Sequence, residues 1–524
     1  MSPQYLSPGV YIEEVERGSK PIEAAGTAVA AFIGFTEKRP EINRGQPHLV
    51  TSWTQYTNDF GGFVPGAFLP HAVYGYFLNG GGICYIQSLM STEETAVKPS
   101  GNGHAPAKAM LPARGAGLGP ALEVLSQSGK QVTVTVADPD APGTDDLFKV
   151  TVRSGSAEEV FDNLSFSRAK GARNVTEVIN RESKLVKIKE LDSTAPLAER
   201  RPALGSYTVE QAKAETTALV SANSFEGSLV ERSGLAGLEA IENITMVAIP
   251  DLMAGYLSGN LSRDDVKAVQ LAVMAHCEQM RDRFAILDPL PNLNAQQIND
   301  WRTKEANYDS KYAALYYPWI TVSNPLAKSG GPALISIPPS GHLAGLYARV
   351  DAERGVHKAP ANEILRGVIN LELQVTKGEQ DILNPNGINC IRSFPGRGIR
   401  VWGARTLSSD ASWRYINVRR LFCMIEESIY EGTQWVVFEP NDMDLWERVK
   451  RTITAFLTRV WRDGALFGAT PGEAFYVKCD ADLNPAEVRD AGQLIVEVGL
   501  APVKPAEFVV FRFSQMSGGG GVSE

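Results

Sequence analysis

The sequence predicts a multidomain chain of mixed α/β and α+β class, with mixed β-sheets flanked by helices and an extended arm at each end. Its 524 residues correspond to about three or four domains. Between residues 241 and 354, apolar strand patterns alternate with helical patterns, which is typical of a mostly parallel sheet covered by helices. Between residues 93 and 206, Gly, Pro, Ser, Ala and charged residues surround short alternating strands, which favours an inserted, mostly β, surface-exposed region.

Composition and charge exclude several classes of protein. With 44% hydrophobic and 21% charged residues, the chain does not fit wholesale disorder, a coiled coil or a collagen-like repeat. The formal net charge of -9 argues against a general nucleic-acid binder, which needs a basic surplus. We expect no signal peptide and no membrane-spanning segment. Five scattered cysteines without a CxxC pair favour reduced, buried thiols: Cys84, Cys277, Cys390, Cys423 and Cys479.

The N-terminal part begins with an extended segment and continues as a β/α unit. The first twenty residues alternate in polarity behind Pro3 and Pro8, which favours an edge-type strand without a hairpin partner nearby. The apolar run at 27–35 predicts a buried strand. A helix over 69–78, stopped by an Asn-Gly-Gly-Gly sequence, and a strand at 83–86 follow.

The inserted region and the C-terminal part have their own element patterns. In the insertion, we expect strands at 131–136 and 148–152. In the C-terminal part, we expect a helix over about 409–431, a strand at 434–439, and a helix from a cap at Asn441 to Asp463. Further strands are expected at 390–394, 400–402, 473–479, 493–500 and 507–515, followed by a Gly-rich tail.

The last of these strands has apolar side chains on both faces. Residues 508, 510 and 512 face one way and residues 509, 511 and 513 the other. Such a strand should be covered on both sides.

Catalytic signatures are nearly absent from the sequence. It contains no P-loop, HExxH, GxSxG or complete GxGxxG motif, and no zinc-type Cys/His spacing. The acidic loop at 138–146 lacks the Gly and the terminal Glu of a calcium loop, which favours a solvated turn. His276 lies among apolar helix positions, as a structural histidine does. We therefore expect no enzymatic activity, no metal and no cofactor.

One charge pattern stands apart. On the helix that follows Asn441, arginines recur at three, four or eight residues beside the apolar stripe. They are Arg448, Arg451, Arg459 and Arg462. The pattern fits either a solvated face or a docking face for an acidic partner.

Nine segments form a set that spans both ends of the chain. They are YLSPGVYIEEV, TAVAAFIGFT, YFLNGGGICYI, PPSGHLAGLYARVDAERGVHKAPAN, NPNGINCIRSFPGRGIRVWGARTL, WRYINVRR, GTQWVVFEPND, FYVKCD and PAEFVVFRFSQ. In this order they resemble the contractile tail sheath family of phage tails, R-type bacteriocins and extracellular contractile injection systems. Residues 93–240 match little, as expected of a variable outward insertion.

The resemblance implies a structural subunit, not an enzyme. Sheath subunits polymerise as stacked six-subunit rings around an inner tube, and contraction drives the tube through a target membrane. The arms of neighbouring subunits complete each other's β-sheets by β-augmentation, and no cofactor takes part. The implied linking-arm residues are Val10, Tyr11, Ile12, Glu13, Val15, Phe508, Val509, Val510, Phe511, Arg512 and Phe513.

The resemblance also implies a domain map and a set of partners. The C-terminal domain lines the bore in this family, so the four arginines become candidates for facing the tube. The partners are further copies of the chain, the inner tube protein, and baseplate and terminal cap proteins, with no nucleic acid and no direct membrane insertion. The implied site of folding is the bacterial cytoplasm, within a phage tail or a tail-like particle that is released from the cell. The map has an N-terminal arm (1–20), a sheath-type core (21–92 with 346–375), an outer insertion (93–205), a middle domain (206–345), an inner C-terminal domain (376–500) and a C-terminal arm with its tail (501–524).

A soluble α/β enzyme with an unrecognised active site is the alternative from a different class. Electron microscopy separates the two hypotheses. A sheath protein forms hollow ribbed cylinders, whereas an enzyme gives compact particles.

Overall fold

The computed structural model of the chain describes residues 21–40, 45–91, 108–114, 120–126, 132–140, 144–154, 157–167, 169, 172–190, 196–209, 221–329 and 332–512. The strands are β1 Val29–Thr36, β2 His48–Val50, β3 Ile83–Ser91, β4 Lys108–Pro112, β5 Pro120–Ser126, β6 Val132–Ala137, β7 Phe148–Ser154, β8 Ala157–Leu164, β9 Val186–Glu190, β10 Gly205–Val209, β11 Met246–Ala248, β12 Phe284–Leu287, β13 Ala313–Tyr317, β14 Ile320–Ser323, β15 Leu334–Ile337, β16 Val368–Leu371, β17 Ile388–Phe394, β18 Gly398–Val401, β19 Phe475–Lys478 and β20 Glu497–Leu500. The helices are α1 Trp53–Phe60, α2 Leu69–Asn79, α3 Val175–Glu182, α4 Leu197–Arg200, α5 Ala222–Glu226, α6 Asp251–Leu257, α7 Arg263–Met280, α8 Ala295–Asp300, α9 Ser340–Arg354, α10 Lys377–Leu383, α11 Ile416–Gly432, α12 Met443–Arg462, α13 Pro471–Ala474 and α14 Ala486–Asp490.

The chain divides into two compact units. The smaller comprises Glu93–Glu215, and the larger comprises Met1–Thr92 with Thr216–Glu524. Within its described ranges, the smaller unit contains an antiparallel sheet in the order β10-β6-β7-β8 and a second one in the order β4-β5-β9. Alternate residues of β6 and β7 are buried in a separate apolar core, because each strand presents one face to it. The two predicted strands of the insertion are thereby confirmed.

An eight-stranded mixed sheet forms the centre of the larger unit. Its order is β18-β17-β13-β12-β11-β1-β3-β2. The six inner strands run parallel, and the edge strands β18 and β2 are antiparallel to their neighbours. Every residue of β1 except the first is buried, which explains its unbroken run of small and apolar residues. The predicted parallel arrangement is confirmed.

Two helices approach each other closely beside this sheet. Helices α2 and α9 pack together, and α2 also contacts β1. A Cβ atom on Gly341 would lie 2.3 Å from the Cα of Ala72, and one on Gly345 would lie 2.3 Å from the carbonyl oxygen of Tyr76. Glycine at these positions of α9 therefore sets the distance between the helices.

A buried carboxylate ties the sheet to the start of α2. Asp251, at the start of α6, is fully buried. It accepts hydrogen bonds from the backbone amides of Phe35 at 2.6 Å, Leu69 at 3.2 Å and Phe68. Burial raises the pKa of Asp251 to about 7, and the three amide donors act in the opposite direction.

A buried ion pair fixes the C-terminal helices to the same frame. Arg420 of α11 donates to both oxygens of Asp351 in α9, at 2.9 and 2.6 Å, and each side chain is 4% exposed. Arg420 also donates to the carbonyl of Thr27, just before β1. The helices α11 and α12 and the strands β19 and β20 surround a separate apolar cluster.

The predicted strand at 434–439 is wrong. Residues Gln434–Val436 form a short 3-10 helix, and the following residues have no regular structure. Two aromatic residues distinguish this segment from a strand. The ring of Trp435 is covered by the guanidinium of Arg448 at 4.6 Å, and Phe438 turns the chain with a φ of 69°. The helix cap was also misplaced, because Asp442, not Asn441, accepts a hydrogen bond from Leu445 at 2.9 Å.

Replacing Asp251 with alanine should destabilise the larger unit strongly. The change leaves three buried amides without an acceptor, so the free energy of unfolding should fall by about 3–5 kcal/mol. Urea unfolding of the monomer measures the effect. As a control, Asp264→Ala removes an exposed carboxylate from the first turn of α7 and should cost about 0.5 kcal/mol. Equal losses in the two variants would contradict the assigned role.

Candidate interaction surfaces

The chain beyond β20 forms an extended strap across the larger unit. The backbone amide of Phe467 donates to Ala501 at 2.7 Å, and that of Val503 donates to Ala465 at 3.2 Å. The side-chain amide of Asn417 donates to the carbonyl of Val503 at 3.1 Å. The strap is thus held by backbone and side-chain hydrogen bonds as far as residue 503.

Glu507 forms the next fixed point of the strap. Its carboxylate accepts two hydrogen bonds from Arg405, both at 2.8 Å, one from Asn384 at 2.7 Å and one from the hydroxyl of Tyr415 at 3.0 Å. Partial burial alone would raise the pKa of Glu507, but the donors from Arg405, Asn384 and Tyr415 outweigh it and hold the pKa below its usual range. Glu507 is therefore a charged anchor at neutral pH.

The linking-arm candidates follow this anchor directly. Phe508, Val509, Val510 and Phe511 have side chains that are 69–76% exposed. Residues 507–512 have no strand structure within the chain, so the predicted strand is not formed over this part. Arg512 is also exposed. Phe513 and the N-terminal candidates Val10, Tyr11, Ile12, Glu13 and Val15 lie outside the described residues.

The root of the N-terminal arm lies on the C-terminal helices. Ile22 is buried in the apolar cluster of α11 and α12. The side chain of Arg459 donates to the carbonyl of Ile22, and the amide of Ala25 donates to Ser428 at 2.9 Å. The residues just after the arm are therefore fixed to the C-terminal part.

The four arginine candidates share the exposed face of α12. The opposite face is buried, with Leu445, Val449, Ile453, Phe456 and Val460 in the core as predicted. Arg448 contacts Glu439 at 3.6 Å and Trp435, and Arg459 binds Ile22. Arg451 and Arg462 make no ion pair or hydrogen bond with the described residues and are exposed. The structure thus divides the set into two arginines with intrachain contacts and two without.

Sequence reasoning missed the anchor of the strap and an exposed aromatic side chain. The three partners of Glu507 lie 92 to 123 residues before it in the sequence. The only local signal was the single acidic residue in PAEFVVFRF. Phe438, in the loop that was predicted as a strand, is fully exposed. Val437 beside it and Met443, the first residue of α12, are exposed as well.

A cavity and a buried pair of polar side chains bear on the enzyme alternative. A cavity of about 200 Å³ lies between the segment before β1, the starts of β11 and β12, and α11. Cys423 lines it, but burial raises the pKa of this thiol to about 11, which leaves it protonated and poorly nucleophilic. Ser340 donates to Asp288 at 2.6 Å, yet both side chains are buried in the core. In the part of the chain that the structure describes, no group of three His, Cys, Asp or Glu side chains could hold a metal ion.

Among the described helices, none is both long enough and apolar enough to cross a membrane.

Comparison with known proteins gives a consistent family. The model of the phage tail sheath protein central domain matches residues 235–407, and that of the phage tail sheath C-terminal domain matches residues 408–515. The chain is 30% identical over 181 residues to the tail sheath protein of Vibrio phage KVP40, which covers 34% of this chain and 26% of that protein. It is 27% identical over 316 residues to a putative prophage major tail sheath protein of Pseudomonas aeruginosa, covering 59% of this chain and 75% of that protein. The chain therefore spans about a quarter of the first relative and three quarters of the second.

Solved structures match over nearly the whole chain. The helical sheath of the anti-feeding prophage in its contracted state has a TM-score of 0.57 and 26% identity, and the match covers 98% of this chain and 99% of that one. A chain of the six-fold symmetrised baseplate of the anti-feeding prophage has a TM-score of 0.55 and 27% identity, with 98% and 100% covered. These matches confirm the mixed α/β fold class. Together the two family models span residues 235–515, more than half of the sequence, and the chain belongs to the phage tail sheath family.

Proposed function

We propose that the chain is the sheath subunit of a contractile injection machine. Copies polymerise as stacked six-subunit rings around an inner tube, and contraction of the polymer drives the tube through a target membrane. The family membership and the match to a contracted helical sheath over 98% of the chain support this function. The baseplate match supports association with a baseplate, and a terminal cap protein would close the other end.

The C-terminal strap is the observation that carries the proposal. Four consecutive apolar side chains are exposed, directly after the anchor at Glu507, where the backbone has no regular secondary structure. In a monomer, such an exposed apolar segment is an aggregation liability. In a polymer, the same segment can add a strand to the sheet of a neighbouring subunit, and β19 and β20 form a sheet of only two strands in the described residues.

The proposal also assigns a position in the particle to each remaining domain. The C-terminal domain (376–500) faces the tube, the core (21–92 with 346–375) and middle domain (206–345) form the body, and the insertion (93–205) lies on the outside. The separate core of the unit Glu93–Glu215 and the start of the family match at residue 235 support an independent insertion. The particle is a phage tail or a tail-like particle that is assembled in the bacterial cytoplasm and released from the cell.

Electron microscopy of the expressed chain tests the proposed function. We expect hollow, ribbed cylinders of uniform diameter in negative stain, because extended or contracted sheath polymerises with helical order. A preparation that gives only compact particles across protein concentrations and salt conditions would contradict the proposal.

Deleting either arm should abolish ordered polymers without unfolding the chain. Removing residues 1–20, or residues 508–524, takes away one strand that links subunits, and each strand offers several hydrogen bonds at about 1 kcal/mol net. The second deletion keeps Glu507 and its partners. Negative stain reports assembly, and circular dichroism reports folding of the monomer.

The control for this test is deletion of residues 518–524, the Gly-rich tail, which should leave assembly unchanged. Normal cylinders after either long deletion would show that the arms do not link the subunits.

Changing Arg451 and Arg462 to Glu should weaken retention of the inner tube while sparing the sheath. These two arginines are exposed and make no ion pair or hydrogen bond with the described residues, so the reversal should leave the fold intact. Exposed ion pairs contribute about 0.2–1 kcal/mol each, which predicts a several-fold lower retention than the parent at low salt. The difference should shrink as salt is added, because salt screens both the attraction in the parent and the repulsion in the variant. Co-purification of tube and sheath across a salt series measures it.

The control variant reverses Arg232 and Arg354, which are exposed, lie outside residues 376–500 and make no side-chain hydrogen bond or ion pair with the described residues. Retention that is equal for both double variants at every salt concentration would remove the arginine face from the proposed tube contact.

A further inference from the structure

The residues that bind Glu507 are held in place by contacts that do not involve the strap. Arg405 and Tyr415 face each other across an isolated antiparallel bridge. The buried side chain of Asn389 in β17 accepts from the amide of Arg405 at 2.7 Å and donates to its carbonyl at 2.8 Å. Asn384 follows α10 directly. The three donors thus come from separate segments whose backbones are fixed independently of the strap.

The contact has the geometry of a specific anchor. The guanidinium of Arg405 uses its Nε and Nη2 atoms on the two carboxylate oxygens, a bidentate arrangement that fixes direction as well as distance. The side chains of Arg405 and Glu507 are only 11% and 18% exposed, so solvent weakens the pair less than it weakens a surface pair. The apolar residues begin at the next position in the chain.

A fixed root determines where the segment points. Extended backbone rises about 3.3 Å per residue, so about 13 Å is the largest distance that four residues can reach from the anchor. A free root would let their tips sweep over the surface of a sphere of that radius. A neighbouring subunit would then meet the segment in the correct direction in only a small share of its conformations.

We propose that Glu507 is a positioning residue for assembly, whose contact with Arg405, Asn384 and Tyr415 presents residues 508–511 to a second copy of this chain. The inference rests on the proposed sheath function and adds to it the group that directs the C-terminal arm. Loss of the anchor lowers the effective concentration of the arm at its docking site and leaves the arm itself unchanged.

Spin labelling tests the anchor in the monomer. All five native cysteines are buried, so Val510→Cys provides the single exposed thiol for a nitroxide. Glu507→Gln should sharpen the electron paramagnetic resonance spectrum of this label, because the neutral amide has only one acceptor oxygen and cannot form the bidentate ion pair with Arg405. Lys504→Gln removes an exposed charge from the same strap and should leave the spectrum unchanged.

Sedimentation of unlabelled chains tests the assembly step. Glu507→Gln should raise the critical concentration for polymer formation about tenfold, which corresponds to about 1.4 kcal/mol per subunit. Arg405→Met should act in the same direction, and the double variant should match the stronger single variant within twofold, because both changes remove one contact. Glu507→Asp keeps the charge on a shorter side chain and should fall between the parent and Glu507→Gln.

The outcomes separate the inference from the proposed function. A sharpened spectrum with a critical concentration within twofold of the parent would overturn the positioning role while the sheath function stands. An unchanged spectrum would overturn the anchor itself. A parent chain that forms no polymer would overturn the sheath function and the inference together. Thermal unfolding of each monomer is the structural readout, and a loss of stability as large as that of Asp251→Ala would assign Glu507 to the fold and overturn the positioning role.

Discussion

Burial of both faces of the eight-stranded sheet is the constraint on which the rest of the molecule depends. Backbone amides and carbonyls at strand ends inside such a core cannot form hydrogen bonds with water. Other groups of the chain must therefore serve as their partners. Asp251 satisfies three backbone amides from β1 and the start of α2. Asp288 accepts from Ser340 at the start of α9. The frame is therefore apolar in bulk, and a few internal carboxylates determine how its segments are placed.

The same design extends to the two arms, where polar contacts fix each root to a distant part of the chain. The carbonyl of Ile22 is bound by Arg459, and Glu507 is bound by Arg405. Directly after Glu507, the strap gives way to four residues with exposed apolar side chains. A rigid frame with directed arms suits the proposed sheath subunit, because each arm leaves the frame in a defined direction.

The parts of the fold that were predictable from the sequence depend on local pattern. Strand β1 and helix α2 follow from an apolar run and from a helix stopped by glycines, and both signals lie within a dozen residues. The prediction of a strand at 434–439 is wrong because β-branched and aromatic residues favour a strand only where a partner strand exists. Glu507 could not be assigned, since its partners lie 92 to 123 residues away and nothing local marks them. The linking arms stay a prediction, which rests on the family resemblance and on a C-terminal pattern that is apolar on both faces.

The energetics of such links explain why fixing the start of the arm matters more than strong binding of the arm itself. A strand of about six hydrogen bonds gains several kcal/mol, and ordering each free residue costs about 1–2 kcal/mol, so an unanchored arm would return most of its gain on docking. Fixing the root removes part of that cost before the neighbour arrives. In the proposed polymer, each arm would contribute only a modest link, and repetition along the polymer would supply the total strength. Modest links that are numerous and directed allow a sheath to rearrange cooperatively while every subunit stays attached.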